Sequence, residues 1–263
     1  MNVFVKFLAA MVLLMCLSVQ ADTGAIGVVV MHGKGGSPSR FVSDLAYSLQ
    51  RRGFQVENLE MPWSGRREYD VNVAGAEAEV ESAISRLRTK GVNKVFVTGH
   101  SQGGIFALYF GSKYKVDGVV AIAPGGNVGN TVFREKLAEA LSLARKNLDE
   151  GKGAEKVQLS DYEGSKGVYP VSTTSASYLT WFEPDGAMNQ ANAMKAFKAE
   201  VPVLYIAPVN DYPALARANG QLYELLPKHP LTQLYQPASS HLNAPASSAQ
   251  AIGDWMSMVS GGK

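Results

Sequence analysis

From residue 26 onward, short β-branched runs alternate with longer amphipathic stretches. Residues 26–31 form a continuous apolar run of strand length, broken by the glycine-rich residues 33–36. Ser37 and Pro38 then stand as helix cap and first helical position, which predicts a helix to about residue 52 that Gly53 stops. A second strand is expected at 54–59. Val73, Ala76, Val80, Ala83, Ile84 and Leu87 recur at the three- and four-residue spacing of one helical face, and Gly91 ends that helix. Strands at 94–98, 116–123, 203–207 and 231–235, with helices opening near residues 104, 213 and 246, continue the series. Such alternation predicts an α/β fold with a mostly parallel sheet and helices on both faces.

Residues 125–200 break this rhythm. A helix is expected at 131–148, with Val132, Phe133, Leu137, Leu141 and Leu148 available for its apolar face. Sequence rich in Gly, Ser and Tyr follows at 150–177, and then a second helical stretch at about 189–198. The segment is too long for a plain connection. It reads as a cap laid over the sheet's edge, with an irregular surface excursion as the alternative.

Composition fits a single large domain. Of 263 residues, 46% are hydrophobic and 18% charged, so there is ample core material for an interior covered on two sides. A net charge of +2 gives no electrostatic footprint for nucleic acid. Residues 1–21 carry Lys6, an uncharged stretch of about 11 residues at 7–17, and Val19-Gln20-Ala21, the pattern of a cleaved signal peptide. A spanning helix needs about 20 apolar residues, so no stable membrane anchor is expected after cleavage. The expectation is an exported protein, periplasmic or secreted. The one cysteine, Cys16, lies in this leader and follows Met15 rather than a small residue, which argues against lipid attachment. The remaining domain, 22–263, then has no disulfide, no thiolate nucleophile and no cysteine-based metal site.

The chemistry centres on Val95-Phe96-Val97-Thr98-Gly99-His100-Ser101-Gln102-Gly103-Gly104, a buried-strand pattern running through G-x-S-x-G into a helix. A serine on so tight a strand-to-helix turn is forced into a strained conformation, and only glycines at the flanking positions let the neighbouring backbones pass. Its hydroxyl then stands exposed at a helix N-terminus. A serine nucleophile needs a base, and the base needs an orienting carboxylate. His32 and His100 adjoin the glycine-rich turns and read as structural. His241 follows the 231–235 strand, on the carboxyl-end edge where open parallel sheets place their reactive crevice, whereas His229 precedes that strand at the opposite edge. The same filter selects Asp211 after the 203–207 strand. Asp185 is a rival that reads better as a helix cap.

Acyl transfer also needs hydrogen-bond donors for the oxyanion. The N–H of Gln102, directly after the serine, is one candidate, and the loop His32-Gly33-Lys34-Gly35-Gly36 is the source of the other. This loop lacks the Lys-Ser/Thr ending and spacing of a nucleotide P-loop. No His/Asp/Glu cluster has metal-ligand spacing, so neither metal nor cofactor is expected. Trp63, Arg66 and Arg67 read as a solvated basic loop. Trp181 and Phe182 either line an acyl pocket or anchor the cap.

The order Ser101, Asp211, His241, with an HG-containing loop after the first strand and G-H-S-Q-G at the elbow, resembles the α/β-hydrolase family of serine esterases, lipases and related hydrolases. The resemblance spans residues 26–255. It implies Ser101 as nucleophile, His241 as base, Asp211 as orienting acid, and Lys34 and Gln102 as backbone oxyanion donors. A small-molecule carboxylic ester is the expected substrate. The alternatives are an amide, thioester or lactone on the same fold, or a non-catalytic binding protein.

Overall fold

A computed structural model describes residues 25–261; the leader expected at 1–21 lies outside the described residues. Eight strands and nine helices follow one another among them. The first part runs β1 (Ile26–Met31), α1 (Ser43–Arg51), β2 (Gln55–Leu59), α2 (Val73–Thr89), β3 (Lys94–His100), α3 (Gln102–Lys113) and β4 (Gly118–Ile122). The inserted segment holds α4 (Thr131–Asp149), β5 (Lys156–Glu163), β6 (Gly167–Thr174), α5 (Ser175–Phe182) and α6 (Gln190–Lys195). The chain then returns through β7 (Val203–Ile206), α7 (Pro213–Tyr223), β8 (Gln233–Tyr235), α8 (Ala244–Ser247) and α9 (Ala249–Val259).

The main sheet has the order β2-β1-β3-β4-β7-β8, and every pairing in it is parallel. From β1, one strand in from an edge, the chain winds outward to β2, crosses back to β3 and continues to the other edge. All the carboxyl ends therefore share one side.

Side-chain alternation along the strands divides the core in two. Val29 and Met31 of β1, Val95 and Val97 of β3, and Val119 and Ala121 of β4 face a cluster completed by α2, α3 and much of the inserted segment. Val28 and Val30, Phe96, and Val120 and Ile122 face the opposite cluster, closed by Leu45 and Leu49 of α1 and by Ile252, Trp255 and Met256 of α9. Burying each such Val, Leu or Phe side chain contributes about 1.5–3 kcal/mol, so the two-sided sheet is the main source of stability. The continuous apolar runs read from the sequence are those of strands buried on both faces.

Three local readings need correction. The first helix starts at Ser43 rather than Ser37: residues 37–41 form turns, and Phe41 at φ 55 leaves the helical path. Residues 150–177 contain the antiparallel β5–β6 hairpin and the start of α5, neither of which the Gly, Ser and Tyr content had marked. The expected solvated loop of Trp63, Arg66 and Arg67 is largely built into the fold. Trp63 is buried between Phe106 and Trp181, its indole N–H donating to the His32 carbonyl at 2.8 Å. Arg67 pairs with Glu79 at 2.6 Å and with Asp70 at 3.0 Å. Only Arg66 is exposed, and it reaches Glu60.

Candidate active site

The turn from β3 into α3 puts Ser101 at φ 55, ψ −117, a conformation that non-glycine residues rarely adopt. The flanking glycines are required by contact. A Cβ on Gly99 would lie 2.1 Å from the Gly103 carbonyl oxygen, and one on Gly103 would lie 2.6 Å from the Met31 carbonyl oxygen. The turn is fixed at both ends: the Ser101 N–H donates to Ile122 at 2.9 Å, and its carbonyl accepts from Gly104 and Ile105 to start the helix. On the open side, a Cβ on Gly125 would sit 3.3 Å from Ser101 Oγ, so the glycine keeps space beside the hydroxyl.

Two loops beyond the carboxyl ends of β7 and β8 bring in the other groups. They are stitched together by the Asn210–Ser240 bridge, and Asn210 N–H donates to Ser239 at 3.1 Å. That register sets Asp211 beside His241. His241 Nδ1 donates to Asp211 Oδ1 at 2.7 Å, and the same oxygen accepts the Tyr212 N–H at 2.7 Å. Both side chains are buried. With Nδ1 engaged as donor, the imidazole leaves Nε2 as its acceptor.

His100 and His32 occupy supporting positions. His100 Nε2 donates to the His241 carbonyl at 2.9 Å, and the two rings lie 4.8 Å apart. This contact joins the serine turn to the histidine loop. His32 Nε2 accepts the Met61 N–H at 3.0 Å, which fixes the proton on Nδ1, where it is donated to the Gly33 carbonyl at 2.7 Å. Burial holds both imidazoles neutral, with pKa values lowered to about 4 for His32 and about 3 for His100. The sequence identified both as structural, but offered no sign that His100 would hold His241.

Of the sequence-predicted residues, Ser101, Lys34 and His241 line one cavity of about 430 Å³, with Asp211 behind His241 and Gln102 behind Ser101. The rivals lie elsewhere. Asp185 is exposed and only 3.9 Å from Arg134, and His229 accepts the Leu231 N–H ahead of β8. Among the described residues, no protein acceptor takes the backbone N–H of Lys34 or Gln102. Gly33 packs so closely on the elbow that a Cβ there would lie 3.1 Å from Ser101 Cβ. The loop after β1 thus runs directly beside the serine.

The inserted segment forms the facing wall. Val132 and Phe133 of α4 and Tyr162, Glu163 and Ser165 of the hairpin line the cavity opposite Tyr212, Leu215 and Leu242. Trp181 is not part of that lining: its indole N–H donates to the Val71 carbonyl at 2.8 Å and it packs on Trp63, so it anchors the segment to the body. Phe182 is likewise buried, against Tyr69 and Tyr178. Below this wall sits Asp161, a fully buried carboxylate to which the sequence assigned no role.

Comparison with known proteins agrees with this architecture. Residues 25–165, more than half of the chain, match the family described as serine aminopeptidase, S33, and the chain belongs to that family. A curated relative, Esterase EstD of Thermotoga maritima, is 27% identical over 127 residues, which span 44% of this chain and only 31% of the esterase. A monoacylglycerol lipase from Paleococcus ferrophilus superposes with a TM-score of 0.61 at 21% identity, covering 89% of this chain and 94% of the lipase. GrgF, an α/β hydrolase from Penicillium, superposes with a TM-score of 0.67 at 15% identity, covering 90% and 91%. The fold is that of the α/β hydrolases.

Proposed function

We propose that the protein hydrolyses carboxylic esters through an acyl-enzyme formed on Ser101. The observation that carries this reading is the strained Ser101 turn sharing a cavity with a histidine whose far nitrogen is already bound to a buried carboxylate. Ser101 Oγ attacks the ester carbonyl carbon while His241 Nε2 takes its proton. Asp211 keeps the Nδ1 proton in place and stabilises the imidazolium. The negative oxygen of the tetrahedral intermediate is held by the N–H groups of Lys34 and Gln102. His241 then gives its proton to the departing alcohol. In the second half, water attacks the acyl-enzyme with His241 as base, releasing the acid and restoring Ser101.

The cavity suits an ester with an apolar acyl or aryl group. Its size falls in the range of small-molecule sites, and Phe41, Val132, Phe133, Leu215 and Leu242 give it a mainly apolar lining. The names of the esterase and lipase relatives support the same bond type. The family description raises a second reading, cleavage of an amide next to a free amino terminus. An ammonium group needs an unpaired carboxylate, and the one carboxylate lining the cavity among the described residues, Glu163, already pairs with Lys166 at 2.8 Å. Export is part of the proposal, on the strength of the leader pattern at 1–21.

Measuring kcat/KM over p-nitrophenyl esters, thioesters, lactones and aminoacyl p-nitroanilides tests the bond type. Esters should give the highest values. Faster turnover of the aminoacyl amides would move the assignment to peptide cleavage, and turnover of none would favour a binding protein on a hydrolase scaffold.

A further inference from the structure

Asp161 reaches the buried layer beneath the site from β5, 127 residues from Lys34 and 92 from Tyr69 in the chain, and four donors converge on it. Lys34 Nζ lies 2.6 Å from Oδ1, which also accepts the Tyr162 N–H at 2.6 Å. The hydroxyls of Tyr69 and Tyr169 donate to Oδ2 at 2.8 and 2.9 Å. Having spent its proton on Asp161, the Tyr69 oxygen accepts from Gln102 Nε2 at 3.3 Å. The two residues proposed as oxyanion donors are thus tied, through their side chains, to one carboxylate.

Both arms are held by further contacts. The Lys34 ammonium is buried, with a further bond to the Tyr162 carbonyl at 3.1 Å, and it lies 4.9 Å from the centre of the Phe133 ring. Tyr69 is buried at φ 60 directly after Glu68 at φ 48, two successive non-glycine residues in the left-handed region. Such a backbone persists only where its surroundings over-determine it. Here the Tyr69 carbonyl accepts from the hydroxyls of Thr173 and Ser177 at 2.7 and 2.8 Å, both from the inserted segment.

We propose that Asp161 is a positioning residue for the oxyanion site, setting the Lys34 loop directly and the start of α3 through Tyr69 and Gln102. This rests on the serine-hydrolase reading above. Its consequence is that the hairpin wall of the cavity and the oxyanion donors move as one unit, so the inserted segment shapes the transition state as well as the substrate cavity. A misplacement of about 1 Å at such a site typically lowers rate by about a hundredfold.

Three variants test it: Asp161→Asn, Tyr69→Phe, which leaves the Asp161–Lys34 pair in place, and Lys34→Met, which keeps the backbone N–H. In protein shown to be folded by circular dichroism, D161N should lower kcat by about 10–100-fold with KM within about threefold of wild type. Y69F and K34M should each give a smaller loss of the same kind. Inhibition by an alkylboronic acid, whose tetrahedral adduct puts a negative oxygen among the donors, should weaken in step with kcat/KM. The double variant D161N/K34M should be no slower than D161N, since both changes break one link. Should D161N fail to fold, Y69F and K34M carry the test under the same criterion. Folded variants with unchanged kcat and boronate affinity, whatever their Tm or KM, overturn the role of Asp161 while leaving the hydrolase reading intact. Wild-type protein that turns over no ester and leaves Ser101 unlabelled by a fluorophosphonate overturns the hydrolase reading itself, and this inference with it.

Discussion

The two walls of the cavity are held by different means. On the strand-end wall, Ser101, Asp211 and His241 follow β3, β7 and β8, and their positions are set by parallel register, the Asn210–Ser240 bridge and backbone contacts around Gly99 and Gly103. On the inserted wall, α4 and the β5–β6 hairpin meet the body through side chains: the Lys34–Asp161 pair, the Tyr69 hydroxyl and the indole of Trp181. The first wall tolerates little local change because backbone has nowhere to go. The second joins the body by apolar packing into the core and by a handful of polar side chains, and those polar links can be changed without dismantling the sheet.

The largest expected effect falls on the strand-end wall. Asp211→Asn keeps the shape but removes the negative charge and puts an NH2 donor in place of one carboxylate oxygen, so the His241 tautomer is no longer fixed and kcat should drop by about 10⁴-fold. Asp185→Asn, on the inserted segment, should leave kcat within about twofold of wild type, because that carboxylate is exposed and the histidine's partner is Asp211. Equal losses in steady-state assays of the two would erase the distinction between the walls.

A stability comparison is next in size. A methyl at Gly99 would collide with backbone at 2.1 Å, so Gly99→Ala should destabilise by about 4 kcal/mol or more in urea unfolding. At the tip of the hairpin, a Cβ on Gly164 would find its nearest neighbour, the Tyr162 hydroxyl, at 4.0 Å. Gly164→Ala should therefore stay within about 0.5 kcal/mol of wild type. A costly Gly164→Ala would mean that the hairpin is as tightly constrained as the elbow.

Acid should strain the strand-end wall more gradually. His32 and His100 have folded pKa values near 4 and 3, below the unfolded value of about 6.5. Below pH 6.5 the unfolded chain takes up protons that the folded chain refuses. Their contribution is therefore fully present above pH 6.5 and is lost as pH falls toward 4. Each should remove about 1 kcal/mol per pH unit across that window. His100→Asn should flatten the dependence of unfolding free energy on pH by that share. An unchanged slope would show that His100 is already protonated in the folded protein.

How much of each wall was legible in the sequence follows from what holds it. Strand runs buried on both faces, the glycines of the elbow and the order of Ser101, Asp211 and His241 are local patterns tied to topology, and the structure brings those residues to one edge. The carboxyl-end rule also separated His241 from His229 and pointed to Asp211; Asp185 was set aside as a helix cap, a place that Asn189 takes in the structure. The hairpin was not legible, because the alternation begun by Val157 and Leu159 breaks at Asp161, which takes the next inward position, Pro170 falls inside β6, and the stretch is rich in Gly and Ser. Nor was Asp161: a lone aspartate between Ser160 and Tyr162 carries no mark of the lysine and two tyrosines that converge on it. Tyr69 and Tyr169 both lie far from Lys34 in the chain, and only the folded insertion brings them together.

Every other role at the site depends on Ser101 being the nucleophile. The direct measurement is ester turnover together with fluorophosphonate labelling, followed to the labelled peptide by mass spectrometry, for wild type and Ser101→Ala at equal folded concentration. Wild type should turn over ester and carry one label on Ser101, while Ser101→Ala, folded and with unchanged circular dichroism, should show neither turnover above background nor label. Retained turnover in folded Ser101→Ala, or a label elsewhere on wild type, would contradict the account.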